Sequence, residues 1–600
     1  MIQTDSPHDE KSALLRKAML LNGVDAYLIP SSDPHLSEYI PDHWLVIPWL
    51  TGFTGSAATI IITHNFAGFW TDSRYYVQAE EQLGNSEFQL IRPMIYESSD
   101  YLEWLEENLK DGSRLAFDGR LFSKTTTEKI RKRLERKDIH IDITCDLISG
   151  IWDDRPPMPS SPAYDFPVEF CGRDRVSKIG EVRELMKSKG ADYQLLTASD
   201  DIMWLLNIRG SDIRYSPLFL SFALIGEEEF RLFADRDRIP EKLLADLEAL
   251  KIDILPYHRT SYKLAALKEG SSVLLNPLNT STALYDSIPA GVRIIEEISI
   301  PSALKVVKNM TETGNIGQAM LKDGVALTKF FFWFENNPEK KEISELQIAE
   351  KLLELRLQQE NFIGPAFETI AAFDKHGALP HYSATSGSDA RAGVDGILLV
   401  DSGGHYYEGT TDITRTIATG IPTEKQKKDF SLVLKGLISL ATAKFPMGTK
   451  GCQLDILARK ALWQNGLNYG HGTGHGVGFC LNVHEGPVNI TPSLPADNRV
   501  SILPGMLFSN EPAIYREGEY GIRTENLMIC YEDEETEFGQ FLRFDTVSLC
   551  YIDKVLIDKS LLDREEIDWI NSYHTEVFDK LSTYLTREER SWLEEKTSFI

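Results

Sequence analysis

The period of apolar positions changes several times along the 600-residue chain, and each change marks an element. Short aliphatic, β-branched runs, "DAYLIPSS" (25–32) and "AATIIITH" (57–64), predict strands that alternate with helical patterns, as in an α/β domain. "IWDDRPPMPSSPAYDFP" (151–167) has five prolines and no hydrophobic period, and it predicts a linker. Beyond it, "VSKIGEVRELMKSKG" predicts an amphipathic helix, and "YQLLTAS" and "LFLSFALIG" predict strands. "GVDAYLIPSSD" (23–33) and "GADYQLLTASD" (190–200) align without a gap, each just after a predicted helix, which implies a duplicated unit. A second boundary falls near "ISIPSALKVVKN". From there "MTETGNIGQAMLKDGVALTKFFFWFE" predicts a long helix, with Thr311 and neighbouring acids at its start, where the dipole favours negative charge. The expected domains are 1–152, 153–301 (beginning with the linker) and 302–600.

Composition narrows the classes. Hydrophobic residues at 42 % and charged residues at 26 % suit packed cores, and the length calls for more than one. A formal charge of -27 argues against nucleic acid or an anionic membrane as partner. Six cysteines are scattered without a CxxC pair, so they read as core thiols of a reducing compartment. The start, "MIQTDSPHDEKSALLRKAML", carries acids and no apolar core, so no secretory leader is expected. No run approaches the roughly 18 apolar residues of a membrane span. A cytoplasmic location is expected.

The chemistry concentrates in the last domain. "VDSGGHYYEGTTDITRT" (400–416) reads as two strands joined by a Gly-rich turn, and it places Asp401 and Asp412 where burial makes charge costly. Downstream, "HGTGHGVG" carries His471 and His475, "FSNEPAIY" carries Glu511 after a strand-like run, and "GIRTENLMIC" carries Glu525 before another. Each residue alone has a structural explanation, such as an Asx turn for an aspartate. Together, four carboxylates offset two divalent cations almost charge for charge, which makes the buried acids tolerable.

In that order, Asp401, Asp412, His475, Glu511 and Glu525 resemble the five-ligand site of the pita-bread metallopeptidases, which include methionine aminopeptidase, prolidase, creatinase and aminopeptidase P. Within that family, "DSGGHYYEGTTDITRT", "VHEGP", "NEPAIYREGEYGIRTEN" and "TGFTGSAAT", "FWTDSRYYVQA" and "WLLNIRGSDIRYSP" further upstream are similar to the long, three-domain cytosolic Xaa-Pro aminopeptidases, as is the tail from about residue 538. The resemblance implies a mixed α/β (α+β) fold, with two related creatinase-like α/β domains before a pita-bread catalytic domain. It implies an aminopeptidase that hydrolyses the N-terminal Xaa-Pro bond of peptides with a water or hydroxide bridging two divalent ions. Asp401 would hold one ion, His475 and Glu511 the other, and Asp412 and Glu525 would bridge them. Glu511 would be general base, His381, His471 and His484 would surround the substrate, and Arg523 and Tyr515 would orient ligands and substrate. One imidazole with four carboxylates favours Mn²⁺, while Zn²⁺ or Co²⁺ would fit the same donors. The partners implied are peptides with proline second and a second copy of the chain, as a homodimer. In "FDKHGALPHY", His376 stands where family members often carry Asn, and it reads as a neutral loop variation. The rival readings are a prolidase-type dipeptidase and an inactive pita-bread binding scaffold.

Overall fold

A computed structural model describes residues 7–72, 74–92, 100–392, 396–492 and 500–600. Residues 1–6, part of the segment read for a leader, and Ser73 of "FWTDSRYYVQA" lie outside the described residues. The chain divides into two compact units, Met1–Phe166 with Arg173–Pro301, and Pro167–Gly172 with Ser302–Ile600.

The first unit holds two six-stranded sheets of one design. In the first, the order is Gln89–Ile91, Ala67–Thr71, Ala58–Thr63, Ala26–Pro30, Arg114–Ala116, His140–Asp142. In the second it is Ile252–Leu255, Phe230–Phe233, Phe222–Gly226, Tyr193–Leu196, Ser272–Leu275, Arg293–Glu296. Both have the same pairing, two antiparallel junctions at the centre and parallel ones outside. The two aligned segments supply equivalent strands, Ala26–Pro30 and Tyr193–Leu196. Repetition in sequence is therefore repetition in topology. Between the sheets, residues 151–167 form no helix and only the two-residue strand Tyr164–Asp165.

In the second unit two helices and a sheet occur twice in succession. Helices Met310–Asn336 and Glu345–Leu357 precede an antiparallel sheet of Ile370–Phe373, Ile397–Ser402 and Ile413–Ala418. Helices Glu424–Ala441 and Gly451–Trp463 precede a larger antiparallel sheet that includes Gly474–Gly476, Leu507–Asn510 and Asn526–Thr536. The aromatic run in the first helix explains its position, since Phe330, Phe331 and Phe334 enter one core with Leu398, Val400 and Val433. That helix is capped by Asn309, whose side chain accepts from the amides of Thr311 and Glu312, rather than by Thr311. Asn309 reaches two backbone donors, and Glu312 returns a bond to its amide, so the reciprocal box closes one residue before the expected start.

The tail carries two more helices, Arg564–Leu581 and Arg587–Lys596, whose Ile570, Val577 and Leu593 join the same core. This is the pita-bread arrangement, with helices backing antiparallel sheets, and the whole chain is mixed α/β. Four of the six cysteines, Cys171, Cys480, Cys530 and Cys550, are buried. No helix among the described residues is long and apolar enough to cross a membrane.

Candidate metal centre

Period-two alternation sets the site on the sheet face away from the helices. Leu398 and Val400 enter the helix-side core, while Leu399 packs in a separate cluster with Ile370, Ala372 and Tyr382. Asp401 shares the Leu399 face. Its cross-strand partner is Thr414, not Asp412. The segment between the aspartates is more than a turn. It forms a second small ladder, Gly404–Tyr406 with Gly409–Thr410, paired to Phe362–Pro365. This excursion returns Asp412 to the first aspartate, and one carboxylate oxygen each from Asp401, Asp412 and Glu525 lie within 4.8 Å of one another.

The second sheet brings the remaining donors. A Cβ on Gly474 would sit 2.0 Å from the Ser509 carbonyl oxygen, so glycine is what lets the His475 strand approach so closely. The His475 amide donates to Ser509 Oγ (2.9 Å), and Ser509 Oγ donates to Glu511 Oε1 (3.3 Å). His475 Nε2 lies 3.5 Å from Asp412 Oδ2 and 3.6 Å from Glu511 Oε1. Glu525 bonds by its amide to the Thr414 carbonyl (3.1 Å), and its Oε2 accepts from Thr414 Oγ1 (2.7 Å). Donor atoms of His475, Glu511 and Glu525 form a second group within 4.8 Å, and Asp412, His475 and His484 form a third.

Arg523 ties the rim together, donating to Asp401 Oδ2 (2.6 Å), to the Tyr515 hydroxyl (2.6 Å) and to Thr414 Oγ1 (3.1 Å). Tyr515 in turn lies 2.9 Å from His471 Nε2, and the ring of His484 stands edge-on to His475 with centroids 4.2 Å apart. His381 follows Pro380, whose carbonyl lies 3.4 Å from an Arg523 nitrogen. The ring of His376 is held rather than loose, because its Nδ1 lies 2.8 Å from Oε1 of the fully buried Glu345 and it stacks on Tyr382. These contacts tie the loop before His381 to the helix that carries Glu345. Thr414 and Ser509 escaped the sequence reading, although Thr414 sits two residues after Asp412 in an alternating strand.

The donor set fits divalent cations. Asp401 Oδ1 is buried without a hydrogen-bond partner, an arrangement costly for a carboxylate unless a cation completes it. Burial, reinforced by the neighbouring acids, pushes Asp412 and Glu511 well above the usual carboxylate range and Glu525 up to about 7. Burial, with His484 beside it, pushes His475 well down, which keeps the imidazole neutral as a ligand must be.

These shifts predict a pH dependence for the ion-free protein. Its folded form keeps protons that the unfolded chain, with carboxyls near about 4, has shed. That contribution to stability is complete below the unfolded values and is lost as pH rises through the raised ones, about 7 for Glu525. Ion-free protein is therefore expected to melt lower at about pH 8 than at about pH 6, and saturating divalent ion is expected to narrow the gap. Melting curves of dialysed and ion-loaded samples check this, and an ion-free Tm that rises over that interval contradicts it.

Clustered buried carboxylates and a neutral imidazole on this frame define a metal-dependent hydrolase of the metallopeptidase class. Residues 314–532 match the model of metallopeptidase family M24, and residues 540–600 match the C-terminal region of peptidase M24. Residues 12–145 and 154–312 each match a creatinase/prolidase N-terminal domain. Xaa-Pro aminopeptidase 2 of Rattus norvegicus is 37 % identical over 599 residues, covering 98 % of this chain and 88 % of the rat protein. A probable Xaa-Pro aminopeptidase P of Neosartorya fischeri is 38 % identical over 98 % of this chain and 92 % of its own. The crystal structure of the Caenorhabditis elegans X-prolyl aminopeptidase, described as a cytosolic enzyme with a di-nuclear active site, superposes with a TM-score of 0.94 at 35 % identity, over 99 % of this chain and all of that one. The chain belongs to metallopeptidase family M24.

Proposed function

We propose that this hydrolase removes the first residue from peptides whose second residue is proline. The observation that carries the reading is the convergence of Asp401, Asp412, His475, Glu511 and Glu525 into overlapping donor groups, within a chain similar over nearly its full length to Xaa-Pro aminopeptidases. Asp401 would hold one ion, His475 and Glu511 the other, with Asp412 and Glu525 common to both. When bound, two divalent ions activate water and polarise the scissile carbonyl. Glu511 takes the proton of the attacking water at its carboxylate and serves as general base. His484, beside His475, donates to the scissile carbonyl oxygen as charge develops on it. Arg523 holds Asp401 and Tyr515, Tyr515 steadies His471, and His471 and His381 line the substrate.

The need for such a site follows from the bond. An Xaa-Pro amide has no N–H and its ring fixes φ, so proteases that bind an extended backbone through that N–H lose their hold. A site that grips the free amine and encloses the ring keeps it. The same reading carries a pair of Mn²⁺ ions, supported by the oxygen-rich donor set. It carries a cytosolic location, supported by the worm enzyme's description. It also carries a homodimer, which rests on family likeness.

The test is an assay on short peptides with metal analysis of the same sample. An Arg-Pro-Pro-type peptide is expected to lose its first residue at least as readily as a bare Xaa-Pro dipeptide. Acetylating the amine is expected to abolish cleavage, and Ala for the second-position Pro to cut kcat/KM severely. Cleavage confined to dipeptides would make the enzyme a prolidase, and none with Mn²⁺, Co²⁺ or Zn²⁺ supplied would favour a binding scaffold.

A further inference from the structure

The strand that carries Thr414 also points the other way. Ile413 and Ile417 lie in the helix-side core, so by period two Arg415 projects to the back of the sheet while Thr414 faces the donor cluster. Arg415 is 2 % exposed, and its guanidinium bonds are all to neutral acceptors. One nitrogen donates to the backbone carbonyls of Thr414 (2.9 Å) and Glu525 (2.6 Å). The others reach the carbonyls of Tyr551 (2.9 Å) and Cys550 (2.9 Å), Asn526 Oδ1 (2.7 Å) and the Tyr573 hydroxyl (2.8 Å). Tyr551, Cys550 and Tyr573 all belong to the tail. The Tyr573 phenol also donates toward the Ser548 and Cys550 carbonyls, at 3.0 and 2.9 Å, and its ring stacks on Trp569.

A planar fork with fixed donor directions couples whatever it binds. Here it joins the Glu525 backbone, the strand whose Thr414 hydroxyl holds the Glu525 carboxylate, and three points of the tail. We infer that the C-terminal segment positions the Glu525 carboxylate through Tyr573 and Arg415, which makes the tail a working part of the donor cluster. Tyr573 and Arg415 are positioning residues. Neither meets the reacting atoms; Arg415 acts through the carbonyls of Glu525 and Thr414, and Tyr573 acts through Arg415. The inference rests on the reading of Glu525 as a metal ligand.

The experiment compares metal-stripped wild type with Tyr573→Phe, which keeps the ring and loses the hydroxyl, by calorimetric titration with Mn²⁺ alone and by steady-state kinetics. Partners one shell removed from a metal cost on the order of 10–100-fold in affinity when lost. Tyr573 stands further out, reaching Glu525 through Arg415, so Tyr573→Phe is expected to weaken Mn²⁺ binding by about threefold to tenfold, at or below the lower end of that range, and to lower kcat with KM little changed. Val577→Ala, on the same helix and fully buried but without a polar link to Arg415, is the control for lost stability. It is expected to lower Tm while Mn²⁺ affinity stays at the wild-type value. Unchanged affinity in Tyr573→Phe, or an equal loss in both variants, overturns the inference. Wild-type protein that takes up no divalent ion overturns it together with the ligand reading, whereas uptake with unaltered affinity in the variant overturns it alone.

Discussion

Alanine in place of Asp412 or Glu525 is expected to empty the site of metal and to cut kcat/KM by roughly 10³-fold or more, the scale set by losing several kcal/mol of transition-state stabilisation. The geometry explains why these two stand out among the carboxylates, since Asp401 and Glu511 each enter one donor group. Asp412 belongs to the donor groups shared with His475 and His484 and with Asp401 and Glu525, and Glu525 belongs to the latter and to the group with His475 and Glu511. Removing either damages two groups at once. The fold should not suffer in parallel, because burial raises these carboxyls and the neighbouring acids raise them further, and deleting one relieves both its own burial and that repulsion. Ion-free Tm is expected to stay level or rise while metal content and turnover collapse. Elemental analysis, turnover on a proline-second peptide and melting after dialysis check all three. Wild-type metal content with wild-type turnover in either variant would remove both residues from the ligand set.

How legible the site was depends on which interactions each residue makes. Asp401 could be found because a continuous apolar run precedes it and a charge at the end of a buried strand needs a reason. The His475 strand announced itself through its glycines, which are required by close backbone approach. The pairing of the aspartates was less legible. A strand–turn–strand reading sets the two aspartates on neighbouring strands without fixing their register, which places Thr414 opposite Asp401, and the intervening ladder has runs too short to show a period. Arg415 was silent for a different reason. In "TDITRT" nothing local marks it, because its partners Glu525, Asn526 and the tail's Cys550, Tyr551 and Tyr573 all lie more than a hundred residues later. The partner of His376 is hidden in the same way, since Glu345 lies on a preceding helix 31 residues away. Local pattern carries the strands and the donors, while long-range pairing decides what holds them in place.

The segment that carries His471 and His475 offers the sharpest case of such long-range support. Asp455, on the helix Gly451–Trp463, accepts from Arg459 Nε (2.7 Å) and from Thr473 Oγ1 (2.7 Å). Arg459 donates in turn to the carbonyls of Tyr469 (2.7 Å) and His471 (2.6 Å), and both charged partners are 2 % exposed. Asp455→Ala leaves a buried guanidinium without its carboxylate, which costs about 3–5 kcal/mol, and the surviving carbonyl acceptors favour the lower end. The variant is expected to lose about 3 kcal/mol of stability, read from denaturant melts, together with metal affinity and kcat. Adding Arg459→Met separates the two losses. The double variant no longer buries an unpaired charge, so most of the stability is expected to return. It still lacks the bonds to Thr473, Tyr469 and His471, so metal affinity and kcat are expected to stay low. Recovery of activity together with stability would mean that the ion pair only offsets its own burial and has no part in placing the histidines.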